Sequence, residues 1–302
     1  MAEFEIFVDS CANIPDEIRK NKNICVVPYI ITINGEEINC IDDNRNYTET
    51  AKLFYQKMRE GADVKSSLIG EGRFIDAFTP SLEAGKDIIV ITLTAGLSGT
   101  YNQAVAAGKT LSEKYPDRKI YVFDSANASL GEGLLAIKIA DMRDAGESVD
   151  ACAEWLKNNI YKMNSYFTVD DLKYLRKSGR ISRTVAFAGS LLNIKPLLDA
   201  DAGDIAQMHL YGTVRGRKKA LSAIVEAFDK NVIDPASQTI AIAHADCEED
   251  ALSLAATLKE HGAGDIIIEY YDICSGTHVG PGTIALFFMG GDRHDKYPKK
   301  AK

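Results

Sequence analysis

No run of apolar residues in this chain approaches the roughly 18 that a membrane-crossing helix requires, so no stable membrane insertion is expected. Met1-Ala2-Glu3-Phe4-Glu5-Ile6 lacks both a basic region and a long apolar region, so no secretory leader is read and a cytoplasmic location is expected. The six cysteines, Cys11, Cys25, Cys40, Cys152, Cys247 and Cys274, contain no C-x-x-C pair. No Cys/His set has zinc spacing either, which favours reduced, mostly buried thiols over a disulfide framework or a metal. The five histidines, His209, His244, His261, His278 and His294, have no close pairing. Positive charge is outnumbered: 35 Lys and Arg face 43 Asp and Glu, a net charge of −8, which disfavours broad nucleic-acid binding.

Several catalytic signatures are missing too. No Gly-rich loop is followed by a Walker lysine, and no G-x-S-x-G elbow occurs. Asp9 ends a first strand as a phosphatase nucleophile would, but the second acid such enzymes place two residues on is Cys11 here. Gly131-Glu132-Gly133-Leu134-Leu135-Ala136 matches G-x-G-x-x-A, yet no ribose-binding acid closes the next strand. Neither internal repeats nor low-complexity blocks are present.

What is present is an ordinary globular composition, 46% apolar and 26% charged, over 302 residues, enough for about two domains. Strands are expected at 4–8, 24–33, 63–68, 88–93 and 120–123. Helices are expected from Pro15 to Arg19, from Thr48 as cap, and over 70–82, 100–111, 131–144 and 149–162. Asn34-Gly35 signals a hairpin before Glu37-Ile38. That alternation argues a mostly parallel α/β layer in residues 1–160. Beyond it the rhythm changes to a mixed α/β sheet in 161–290. There a strand is read at 166–169, a helix at 185–192, a hairpin at 195–211 and a helix at 215–228. Strand 240–243, helix 248–261 and strands 266–270 and 283–289 complete it. A loose polar tail is expected at 291–302.

Two stretches read as anion sites. Ile88-Ile89-Val90-Ile91 leads into Leu93-Thr94-Ala95-Gly96-Leu97-Ser98-Gly99-Thr100-Tyr101-Asn102, a strand, a tight turn and a helix start. Free N–H groups and the positive helix end there favour an anion, although a Ser-capped helix explains the same pattern. The helix that follows would bury Ala104, Val105, Ala107 and Leu111. The second stretch is Ser275-Gly276-Thr277-His278-Val279-Gly280-Pro281-Gly282, read as a Gly-rich loop whose single His is either structural or functional.

The ordered set of short motifs resembles the DegV family of bacterial fatty-acid-binding proteins. It comprises Val8-Asp9-Ser10, Ser66-Ser67, Leu97-Ser98-Gly99-Thr100-Tyr101, Asp124-Ser125-Ala126-Asn127-Ala128-Ser129-Leu130-Gly131 and Leu175-Arg176-Lys177-Ser178-Gly179-Arg180-Ile181-Ser182. Leu192-Asn193-Ile194-Lys195-Pro196, Arg215-Gly216-Arg217-Lys218-Lys219-Ala220 and Thr277-His278-Val279-Gly280-Pro281-Gly282 follow in the same order. The resemblance implies two α/β domains with a long-chain fatty acid between them and no further cofactor. It implies that Ser66, Ser98 and His278 hold the carboxylate, with Ser67, Gly99 and Thr100 supporting them. It also implies that the protein is no enzyme itself, but presents the acid to a separate ATP-dependent fatty acid kinase for acyl-phosphate formation.

Four stretches depart from the family pattern. Ser66 stands for Thr, Leu68-Ile69 for Gln-Pro, Thr94-Ala95 for a serine pair and Ser178 for a Gly. Ala186, Phe187, Leu191 and Ile194 read either as tunnel wall or as core. The basic set Lys173, Arg176, Lys177 and Arg180, with Arg215, Arg217, Lys218 and Lys219, reads either as a solvated face or as a docking surface, centred on Arg176, Lys177 and Arg180. The alternative function is an acyl or phosphate-ester hydrolase using Ser98 and His278.

Overall fold

In this computed structural model the described residues are 4–41, 46–180, 193–203 and 206–297. They contain thirteen strands: β1 (Phe4–Asp9), β2 (Ile24–Val27), β3 (Ile30–Ile33), β4 (Glu36–Asn39), β5 (Val64–Ser67), β6 (Asp87–Thr92), β7 (Ile120–Asp124), β8 (Met163–Thr168), β9 (Ile194–Ala200), β10 (Met208–Arg215), β11 (Ile240–His244), β12 (Ile266–Tyr270) and β13 (Ile284–Met289). The first sheet, in the order β2-β1-β6-β7, is parallel throughout. Its central strands are apolar on both faces, as a parallel layer between helices requires: all six residues of β6 are buried. The second, β10-β9-β8-β13-β11-β12, mixes five strands in antiparallel pairings with one parallel pair, β11 and β12. The α/β class, parallel then mixed, is as the sequence pattern implies.

Three local expectations change. The extended stretch 24–33 is two strands in two sheets. Pro28 cannot donate to a ladder, the chain turns there, and Tyr29 N donates instead to Ser10 Oγ at 3.0 Å. Strands β3, β4 and β5 then form a third, antiparallel sheet, β4-β3-β5, in which Ile31 pairs with Ser66. Asn46, not Thr48, caps the helix Tyr47–Arg59, its side chain accepting from Glu49 N at 3.1 Å. Ser275–Val279 is not loop but most of a short helix, Ile273–Val279, capped by Asp272 and ended by Gly280 at φ +79°.

Two smaller differences concern packing. In the helix Thr100–Lys114, Val105 is exposed, and Gly108 supplies the close approach to β7 through Val122 and Ile120. The tail is tied down as far as Tyr297: buried Arg293 donates to Asp201 O at 2.6 Å and Ala126 O at 2.8 Å. The helix expected at 185–192 lies outside the described residues.

The core is continuous between the parallel and mixed sheets, and a second apolar cluster covers the far face of the mixed sheet. Between the sheets lies the helix Leu130–Asp144, buried around most of its girth in its first three turns. Its G-x-G-x-x-A pattern serves packing. A Cβ on Gly131 would overlap Asn127 and approach Phe287 of β13 at 3.0 Å, while one on Gly133 would overlap Ala12 O. The two glycines let one helix touch both halves of the chain.

Candidate carboxylate site

Ligands of open parallel sheets bind outside the carboxyl ends of the strands, where the strand order reverses. Here that point lies between β1 and β6. Asp9, the last residue of β1, is fully buried and clamps both following turns. Its Oδ1 accepts from Cys11 N and its Oδ2 from Leu93 N, each at 2.8 Å. Burial nevertheless pushes its carboxyl up to about 6. Asp124, at the end of β7, does the same for the next turn, accepting from Ala95 N at 3.0 Å and Ala126 N at 2.7 Å. The two Asp-Ser pairs are therefore loop fasteners.

The turn after β6 presents Ser98 and Gly99 just before the helix Thr100–Lys114. Ser98 Oγ lies 3.0 Å from Thr100 Oγ1 and 3.0 Å from the hydroxyl of Tyr29, which is 2.6 Å from Thr100 Oγ1. Tyr29 is buried and its phenol is pushed well above its usual range by desolvation, so it stays protonated. Ser66 projects from β5 toward the same space. Ser66 Oγ meets His278 Nε2 at 2.8 Å, and His278 arrives from the last turn of the helix Ile273–Val279. Burial, followed by the charge of Arg180, lowers His278 to about 4, so its imidazole is neutral at pH 7.

These groups surround one cavity of about 270 Å³. Ser66, Ser98, His278, Tyr29, Ser275 and Arg180 make its polar part. Leu68, Leu93, Leu97, Ala128, Met208, Tyr271, Cys11 and Cys274 make the rest. A smaller space of about 30 Å³ shares Leu97, Ala128, Met208 and Tyr271 with it and runs on to Phe167 and Phe287 between the sheets.

Ser66, Ser98, Gly99 and His278 are thus brought together, and Thr100 stands behind them holding Ser98 and Tyr29. Ser67 is not part of the lining. Alternation along β5 turns it to the opposite, exposed face, while Ser66 and Leu68 face the cavity. Arg180 is half-buried on the cavity wall, whereas Arg176 and Lys177 are exposed, with Lys177 paired to Asp63 at 3.1 Å. Ile194 is not among the lining residues, and Ala186, Phe187 and Leu191 lie outside the described ones. Tyr29 escaped the sequence reading, and Arg180, read there as part of a docking surface, lines the cavity instead. The signal for Tyr29 was the proline before it.

The Ser98–His278 pair expected of a hydrolase does not form: His278 is bonded to Ser66, and Ser98 to Tyr29 and Thr100. Nor does Ser66–His278 make a nucleophile. His278 Nδ1 is buried with no hydrogen-bond partner among the described residues, so no acid orients the ring, and an imidazole near 4 is a weak base at pH 7. Neutral hydroxyls and a guanidinium around a half-apolar cavity suit the holding of an anion with an apolar tail.

Residues 3–290 match the DegV family model. The chain belongs to the DegV family. A DegV domain-containing protein of Clostridium perfringens is 40% identical over 291 residues, 96% of this chain and 98% of that one. The DegV fold is also found in a Ruminococcus gnavus protein solved with vaccenic acid. It is 28% identical, with TM-score 0.82, covering 94% of this chain and 99% of that one. A Bacillus subtilis DegV described as a fatty acid binding protein is 27% identical, with TM-score 0.78, covering 95% and 99%. Like this chain, DegV proteins combine the two α/β layers. Among the described residues no helix is long and apolar enough to cross a membrane.

Proposed function

We propose that this protein binds a long-chain fatty acid between its two halves, residues 1–160 and 161–290. The carboxylate takes Ser66, Ser98 and His278, backed by Gly99, Thr100 and Tyr29, with Arg180 supplying positive charge. The tail follows Leu93, Leu97, Ala128, Met208 and Tyr271. One observation carries the reading: two hydroxyl-centred pairs, Ser66–His278 and Ser98–Tyr29, face a single cavity whose remaining wall is mostly apolar. The relative solved with vaccenic acid and the one described as a fatty acid binding protein support the class of ligand.

Each hydrogen bond to a charged carboxylate contributes about 1.5–3 kcal/mol, and the helix end adds roughly 0.3–1 kcal/mol. Among the described residues of the site no acid orients His278 and no base is paired with Ser98, which supports a reading in which the bound acid is presented rather than transformed. Its consumer in this reading is a separate fatty acid kinase that supplies ATP and makes the acyl-phosphate. That division agrees with the missing Walker lysine. Arg176 and Lys177, exposed beside Arg180, are the proposed docking residues.

Native mass spectrometry of the protein purified from cells tests the binding. A released species of fatty-acid mass is expected; an empty protein that hydrolyses acyl esters overturns the reading.

A further inference from the structure

We propose that Cys11, Asp272 and Cys274 form a binding site for one thiophilic divalent cation of the zinc class in the wall of the cavity. The two sulfurs and a carboxylate oxygen of Asp272 all lie within 4.8 Å of one another, and all three residues are buried. The residues come from opposite ends of the chain, which is why no zinc spacing is visible in the sequence. Cys11 is fixed in the turn after β1 by its N–H to Asp9. Cys274 lies in the first turn of the helix that Asp272 caps. Asp272 Oδ1 accepts from Ser275 N at 2.6 Å, which leaves the buried Oδ2 with no hydrogen-bond partner among the described residues.

The donor set is the one such a cation selects: two thiols and a carboxylate, with metal–ligand lengths of roughly 2.0–2.3 Å. Those lengths put neighbouring ligands roughly 3.5 Å apart, so side-chain rotation of about an ångström closes the site. Binding releases the two thiol protons, and any proton held by the buried Asp272 carboxyl, to solvent and leaves two thiolates and a carboxylate around a doubly positive ion. Buried anions without such a partner are costly. The groups facing the site from neighbouring elements include another acid, Asp9, and the thiol of Cys40, which lies within hydrogen-bonding reach of Cys274. Cys11 and Cys274 both line the cavity, which gives the ion an entry path and leaves a coordination position open on that side. This inference does not depend on the fatty-acid reading.

The test is a titration of the reduced, metal-free full chain with Co²⁺, then displacement by Zn²⁺. The expected result is one equivalent bound, with near-ultraviolet sulfur-to-cobalt charge-transfer bands and visible bands of tetrahedral intensity. Cys11→Ser with Cys274→Ser should remove those bands, while Cys25→Ser, outside the cluster, keeps them. A wild-type measurement guards against misfolded variants: Zn²⁺ should raise the unfolding midpoint, and a chelator should reverse the rise. Absence of charge-transfer bands, their survival in the double variant, or a midpoint indifferent to Zn²⁺ each overturns the proposal.

Discussion

His278 carries the clearest electrostatic signature at the residue scale. Its folded value of about 4, against 6.5 for an unperturbed imidazole, means that the unfolded chain takes up a proton first as pH falls. Folding is therefore disfavoured progressively between 6.5 and 4, by at most about 3 kcal/mol. The contribution is fully recovered above 6.5. His278→Gln should remove this component, so the variant should lose less stability than the parent between pH 6.5 and 4.5 in urea unfolding. Parallel pH profiles would mean that the imidazole is not desolvated as described. Ser66, Ser98 and His278, which line one cavity, were legible in the sequence as candidates for a carboxylate site, Ser98 and His278 through their glycine-rich local patterns and Ser66 only through the family resemblance. Tyr29 and Arg180 were not. Tyr29 reaches Ser98 only because Pro28 turns the chain out of one sheet into another, and Arg180 was counted with the basic stripe of its own segment.

The helix Ile273–Val279 shows, at the scale of elements, why strand positions were easier to read than this piece. Three glycines in eight residues look like loop, yet Gly276 is helical for a packing reason. A Cβ there would overlap Tyr55 Oη and come within 3.2 Å of Phe54, and Tyr55 must stay in place to donate to Tyr271 O at 2.8 Å. Glycine costs the helix up to about 1 kcal/mol but lets it close on the helix Tyr47–Arg59. Gly276→Ala should therefore destabilise by about 1–3 kcal/mol despite alanine's better propensity. It should also weaken ligand binding, because the same helix carries His278. Chemical denaturation and a lipid-binding titration check both; a stabilised variant with unchanged binding would refute the packing account. The third sheet was illegible for a related reason. Periodicity reports that 24–33 and 63–68 are extended, but not which partner each strand takes.

The two proposed functional surfaces divide by location at the scale of the whole molecule. Arg176 and Lys177 are exposed, while Ser66, Ser98 and His278 line the cavity. Reversing both basic residues to Glu should reduce turnover by the proposed kinase several-fold and leave fatty-acid affinity unchanged; unaltered turnover would remove this surface from consideration.

The cavity itself sets a steeper test, because its walls come from both halves: Leu93 and Leu97 follow β6, whereas Met208 opens β10. A tail of about fourteen methylenes buried there is worth on the order of 11 kcal/mol before association costs of several, and one head-group hydrogen bond about 1.5–3 kcal/mol. On the proposed reading the tail therefore dominates affinity, while the hydroxyls fix where the carboxylate stops. Ser98→Ala should weaken binding roughly 10- to 150-fold. Met208→Trp, which fills the passage between the sheets, should leave no measurable binding although every polar group of the head site is intact. Titration of both variants with the same fatty acid separates the two contributions. Equal losses would mean that the head, not the tail, holds the ligand, and that the apolar space between the sheets is core rather than tunnel.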